Sequence, residues 1–163
     1  METQFRKYSA TERLYLRNLF ENTNDVVYSP EDGYDHWDAR YLVPTKSTIG
    51  LGKLVIIEAK VRDILYSDFM IEMNKFRFLK EEQEKFCGTY NVQLLYMMFI
   101  KNDFNNVYYY DLTNMNEDDL YASNISRKKY TAIDSNYKNE PAYFFKSPYK
   151  QMQKNKDNKW IKK

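Results

Sequence analysis

Hydrophobic and polar positions change period several times along the chain, and each change predicts an element. Leu16, Leu19 and Phe20 recur at helical spacing after Ser9 and Glu12, a pair spaced as a capping box, so a first helix is expected over residues 10–22 with Glu12 on its apolar stripe. Val26, Val27 and Tyr28 predict a short strand, followed by a turn centred on Glu31, Asp32 and Gly33. Residues 36–43 alternate and are rich in aromatic and β-branched side chains up to Pro44, which predicts a second strand and then a loop over 44–52. Residues 53–61 are almost continuously apolar, as a central strand covered on both faces must be, and carry charge only at their far end.

Asp68 is placed to cap a long helix over residues 69–86, with Phe69, Met73, Phe76 and Leu79 facing inward and Gly88 suited to the left-handed position past its end. Residues 92–100 and 107–111 predict two more strands joined by a turn over 102–106. After Asn114 the acidic run Glu117-Asp118-Asp119 predicts a helical turn, then loops as far as Asn139, with Tyr143-Phe144-Phe145 a short edge strand. The segment 151–163 holds five lysines against one aspartate and is expected to be a basic, flexible tail behind a single domain over residues 1–150. The order αβββαββ predicts the α/β class, with a mixed central sheet flanked by helices.

Composition narrows the function classes. A chain of 163 residues with 43% hydrophobic content can close one sizeable core. Its 25 basic and 23 acidic residues leave a formal charge of +2, which permits a nucleic-acid partner without arguing for one. The single cysteine, Cys87, cannot form an internal disulfide and reads as a packed thiol. No run approaches the roughly 18 apolar residues that cross a bilayer, and the first residues carry no apolar core of a secretory signal, so a cytoplasmic protein without a membrane partner is expected.

The candidate chemistry lies where charge meets the apolar strands. Alternate side chains of a strand share a face, so Glu58 and Lys60 point the same way. Antiparallel pairing with the preceding strand would bring Asp38 beside Glu58. Phosphodiester hydrolysis needs charge neutralised on the attacked phosphate and a water acidified near neutral pH, and a hard divalent cation on carboxylate oxygens does both. Asp38 and Glu58 suit such a cation, and Asp35 is the rival ligand if a bulge reverses its parity. A lysine alongside can hold the attacking water, deprotonate it, or stabilise developing negative charge; the sequence leaves these roles of Lys60 open.

Within YDHWDARYLV followed by LVIIEAKVRD, an Asp-x-x-Asp strand precedes a Glu-x-Lys strand. Together with the element order over residues 9–112, this resembles the PD-(D/E)XK nuclease superfamily, the restriction-endonuclease-like fold with an αβββαβ core, in the variants common in phage-encoded and mobile-element proteins. Trp37 stands where a proline often precedes the aspartate, and the 44–52 loop lengthens the spacing to Glu58. The resemblance implies a Mg2+- or Mn2+-dependent hydrolase acting on DNA, with RNA as the second substrate class. It implies metal binding by Asp38 and Glu58 and a catalytic Lys60, with support from Glu12 on the first helix and Lys75 on the second. It also implies a homodimer or a partner subunit, and a host cytoplasm if the chain is phage-encoded.

Each of these residues has a plainer reading. Glu12 can be the capping partner of Ser9, Lys75 a snorkelling lysine, and His36, the sole histidine, a structural side chain rather than a phosphate contact. Arg40, Lys46 and Arg62 suit phosphate contacts equally well as solvation, and the Tyr108-Tyr109-Tyr110 run suits core better than base stacking. The rival to a nuclease is a non-catalytic DNA- or protein-binding module that keeps the nuclease fold.

Overall fold

The computed structural model describes residues 4–30, 35–45, 51–127 and 138–163. The chain runs α1 (Gln4–Leu19), β1 (Val27–Tyr28), β2 (Ala39–Val43), β3 (Lys53–Arg62), β4 (Met70–Glu72), α2 (Met73–Phe86), β5 (Asn91–Ile100), β6 (Asn106–Asp111), a 3-10 turn at Glu117–Asp119, β7 (Leu120–Arg127), β8 (Lys138–Phe145), β9 (Lys150–Lys154) and β10 (Trp160–Lys162). Seven strands form one mixed sheet in the order β1-β2-β3-β5-β6-β9-β10, and β4-β8-β7 form a second, three-stranded sheet. The β3–β5 pair is parallel and every other pair is antiparallel. The molecule is thus α/β with a mixed central sheet.

Strand parity sorts the core into two layers. From β3 and β5, Val55, Ile57, Ala59, Leu95, Met97 and Phe99 pack with Tyr15, Leu16 and Leu19 of α1. Leu54, Ile56, Leu94, Tyr96 and Met98 face the other way, against Phe76 and Leu79 of α2 and Ile71, Tyr143 and Phe145 of the small sheet. The near-continuous apolar runs of β3 and β5 follow from this: a strand covered on both faces has no wet side on which to alternate. Tyr108, Tyr109 and Tyr110 are all buried in these layers.

Several boundaries differ from the sequence expectation. The first helix runs from Gln4, not from near residue 10, so Ser9 lies inside it and is not its cap. The stretch 69–86 is not one helix: Met70–Glu72 pairs with β8, α2 starts at Met73, and Glu72, not Asp68, holds the cap position without a side-chain cap. Phe69, Met73, Phe76 and Leu79 fit a helical stripe, but Met70↔Phe144 and Ile71↔Tyr143 are long-range pairings that local periodicity does not register. Gly88 does not take the left-handed conformation, and Cys87 ends the helix in right-handed geometry with an exposed thiol.

Residues 120–127 and 138–145 are strands rather than loops, and β8 is the centre of its sheet rather than an edge. The segment 151–163 is not a loose tail either: β9 pairs with β6 and β10 with β9, extending the main sheet. Lysines along its KQMQK strand mask it as solvated chain, although charged side chains are what an outer strand carries. The expected turn at Glu31–Gly33 and Lys46 lie outside the described residues. Among the described residues no helix is long and apolar enough to cross a membrane.

Candidate functional site

The site is created by a mismatch in strand length. β2 pairs with β3 from Val43↔Lys53 to Ala39↔Ile57 and begins there, whereas β3 continues to Arg62. From Glu58 onward β3 therefore has no strand on that side. The expected second strand over 36–43 is accordingly shorter, and Trp37 and Ala39 enter opposite layers of the core, so the chain bends at Asp38. That bend turns the Asp38 side chain along the sheet edge. Its backbone N–H still donates to the Ile57 carbonyl at 2.8 Å. Its carboxylate Oδ2 accepts from the Ala59 N–H at 2.7 Å, taking the place of the missing strand.

Glu58 and Lys60 share the face of β3 that points towards α2, as parity requires. Glu58 is 1% exposed, and its Oε1 lies 3.0 Å from Lys60 Nζ and 3.1 Å from Lys75 Nζ in the first turn of α2. Both ammoniums sit at hydrogen-bonding distance, so this buried oxygen is compensated by two close positive charges. Glu12 comes from α1, on the opposite layer, and reaches Lys60 Nζ at 3.5 Å. The open edge beside Glu58 lets the two layers meet.

Three carboxylates (Glu12, Asp38, Glu58) thus surround two ammoniums (Lys60, Lys75), leaving one negative charge in excess when all are ionised. The titration behaviour follows. Burial pushes the Asp38 carboxyl well above its ordinary range, and Glu58 and Glu12 push it further than Lys60 can offset. Burial also raises Glu12, against the pull of Lys60. For Glu58 burial acts upward, but Lys60 and Lys75 outweigh it and hold the group below the usual carboxylate range. Burial opposes the charge on Lys60, yet Glu58, Glu12 and Asp38 together raise its pKa, so its ammonium is held firmly protonated.

The structure brings together five of the singled-out residues: Glu12, Asp38, Glu58, Lys60 and Lys75. It does not bring in Asp35, which is exposed. His36 stacks on Phe78 of α2 with ring centroids 4.1 Å apart. Arg40 lies over the Trp37 ring at 4.6 Å. Tyr96 was invisible from the sequence: it is the parallel-register partner of Glu58, fully buried, and donates to the Met70 carbonyl at 2.9 Å. Its phenol is pushed up to about 12, first by burial. Only the β3–β5 register identifies it, and register between parallel strands leaves no local signal.

Among the described residues no group of three or more acidic, histidine or cysteine side chains is placed to hold a metal ion. The donor set nonetheless suits a hard divalent cation, which is often held by one or two carboxylates and otherwise by water and substrate phosphate. Asp38 is raised first by burial and then by Glu58 and Glu12, and that excess negative charge is what a cation would relieve. No family model, curated protein or solved structure matches the chain. The reading of the site therefore rests on its own chemistry.

Proposed function

We propose that the protein is a divalent-metal-dependent nuclease that hydrolyses phosphodiester bonds, with DNA as substrate and a restriction-endonuclease-like PD-(D/E)XK core. The observation that carries this reading is the Asp38–Ala59 hydrogen bond, which holds one carboxylate against the Glu58-Ala59-Lys60 triplet at an open sheet edge. Asp38 is in addition a carboxylate whose burial disfavours its charged form, and functional sites concentrate such groups. The element order α1, β1 to β3, α2, β5, with β4 as an added strand, is compatible with an αβββαβ core.

In this reading Asp38 and Glu58 hold Mg2+ or Mn2+. When bound, the ion supplies a water of lowered pKa and neutralises charge on the phosphate. It also turns the site from one excess negative charge to one excess positive charge, which suits a phosphodiester anion. Lys60 acts as an ammonium: surrounded by Glu58, Glu12 and Asp38, it is held protonated, which suits orienting the attacking water or stabilising charge on the phosphate oxygens rather than accepting a proton. Glu12 and Lys75 position Lys60 and Glu58 respectively. Plasmid nicking that needs Mg2+ or Mn2+, stops with chelator, and is lost in a folded Lys60→Ala variant is the expected result; absence of nicking by the wild-type protein in either metal overturns the reading.

A second reading is supported by the two lysines that already share Glu58 Oε1 and by the finding that, among the described residues, no group of three or more candidate ligands is placed to hold a metal ion. This is the non-catalytic DNA- or protein-binding module. It predicts no metal-dependent stabilisation and no cleavage.

A further inference from the structure

Two ammoniums meet one buried oxygen: Lys60 Nζ lies 3.0 Å and Lys75 Nζ 3.1 Å from Glu58 Oε1. The two lysines are held unequally. Lys60 stands two residues from Glu58 on the same face of β3 and has a second carboxylate, Glu12, at 3.5 Å. Lys75 is the third residue of α2, and among the described residues Glu58 is its one ion-pair partner. The first turn of a helix carries partial positive charge and disfavours a cation. That of α2 holds no acidic residue to offset this, and its cap residue Glu72 makes no side-chain cap bond. Glu58 is thus the contact that keeps Lys75 in place. The lysine stem is long and flexible, and this side chain retains 23% exposure, so a path to solvent is open to it.

We infer that the Lys75 ammonium is a built-in substitute for the divalent cation and withdraws from Glu58 when Mg2+ or Mn2+ binds there. The inference rests on the nuclease reading, which makes Glu58 a metal ligand. A carboxylate oxygen offers two lone pairs, and two ammoniums already sit at hydrogen-bonding distance from Oε1, so a further cation enters there only as one of them leaves. Lys60 keeps Glu12 as a partner, whereas Lys75 gives up a single contact. Charge balance selects the same residue. With all groups ionised, Glu12, Asp38 and Glu58 against Lys60 alone leave two negative charges, which one divalent cation cancels. With both lysines still inside, the same cation adds an uncompensated positive charge to a buried cluster, at a high desolvation cost. The surplus charge instead moves with Lys75 towards solvent, the side from which any substrate arrives. In the metal-free protein the same lysine spares Glu58 the cost of a bare buried carboxylate, so the cluster is stable before it is loaded.

The test reads the exposure of each amine in the full-length protein by acetylation with limiting N-hydroxysuccinimide acetate, quantified by peptide mass spectrometry with and without Mg2+ or Mn2+. Saturating metal should raise the acetylation rate of Lys75 several-fold and leave Lys60 and the exposed Lys101 unchanged. In Glu58→Gln, Lys75 should be acetylated at the higher rate with or without metal. Lys75→Met leaves no ammonium to displace and should bind Mn2+ on the order of tenfold more tightly by calorimetry, the scale of one partly buried ion pair. If it does not fold, Lys75→Gln takes its place, and the wild-type acetylation pattern needs no variant. Unchanged Lys75 acetylation in metal that binds, or a rise at Lys60 instead, overturns the inference, as does equal Mn2+ affinity in wild type and variant. Mn2+ binding by the variant alone supports the exchange; binding by neither overturns it together with the metal-dependent reading. Plasmid nicking by a wild type whose Lys75 does not respond to metal overturns this inference alone. A metal-responsive Lys75 without nicking supports it and overturns the nuclease reading instead.

Discussion

The carboxylate of Asp38 completes the hydrogen-bond ladder of a neighbouring strand by accepting from the backbone N–H of Ala59 at 2.7 Å. One side chain thereby does the work of a strand residue and places a charge at the same point. The stability of the sheet edge and the chemistry of the site are consequently coupled, and the predictions below separate them.

Asp38→Asn should stabilise the protein at neutral pH. Burial holds the Asp38 carboxyl well above its ordinary range, with Glu58 and Glu12 adding to it. A folded state that binds this proton more tightly than the unfolded chain loses stability as pH rises from the unfolded value, about 3.9, through the folded one. The ionised carboxylate is thus a penalty at neutral pH, while Asn keeps an oxygen for the Ala59 N–H. The expected gain is on the order of 1 kcal/mol, or about 2–4 °C in Tm, with loss of metal-dependent nicking. A melting temperature below that of the wild type at neutral pH refutes it.

Lys60→Ala leaves Glu58, Glu12 and Asp38 facing only Lys75. Removing one partner from a buried ion pair costs about 3–5 kcal/mol, and since the Lys60 side chain keeps 29% exposure, a cost of about 1–3 kcal/mol is expected. Urea unfolding measures it. The double variant Lys60→Ala with Glu12→Gln should recover part of the loss, because it removes a carboxylate left without its cation; strictly additive effects would show that Glu12 and Lys60 are not coupled.

Lys75→Met should shift acid unfolding upward in pH. Burial raises Glu58, but Lys60 and then Lys75 outweigh it, so the folded pKa lies below the unfolded one. The stability this provides is present above the unfolded value of about 4.3 and is lost as pH falls through the folded one. Without Lys75 the folded value moves up and the acid limb moves with it. Far-ultraviolet circular dichroism against pH reads the midpoint, and an unmoved midpoint would falsify the Lys75–Glu58 contact.

Mg2+ or Mn2+ should raise the melting temperature of the wild type and not that of Glu58→Gln or Asp38→Asn. A ligand at a hundredfold its Kd adds about 2.7 kcal/mol to a state it binds exclusively. Calorimetry in each metal decides between the nuclease and the binding module, and equal shifts in wild type and both variants place the ion elsewhere.

Deleting residues 150–163 should destabilise the whole domain by several kcal/mol. It removes β9, whose Met152 pairs with Val107, and uncovers Val107 and Tyr109 of the core. A truncated protein that melts with the full chain would mean that β9 and β10 add nothing to the fold.

How much was legible depended on whether the signal was local. β3, β5 and β6 could be read because burial on both faces writes itself as unbroken apolar runs. Glu58 and Lys60 stood out for the same reason, as charges at the end of such a run, and Asp38 as the carboxylate within the alternating strand before it. β4 was not, since Met70, Ile71 and Glu72 owe their strand to β8, some seventy residues later in the chain. Glu12 looked like a capping residue because Ser9 stood three positions before it, yet the helix runs through Ser9 and carries Glu12 to the edge of the other layer. Arg13, buried and bonded to the Ser29 carbonyl, was likewise missed: a charge next to another charge on a helix gives no sign of which one is covered.

The alignment of β2 on β3 is set from both of its ends, by five paired positions and by the two bonds that Asp38 makes to Ile57 and Ala59. A slip of a single position would break both Asp38 bonds and invert every side chain of β2 between the layers. One residue added between Trp37 and Ala39 would uncouple the carboxylate from the triplet, so the fold holds the spacing of the three residues around the bend to a single value.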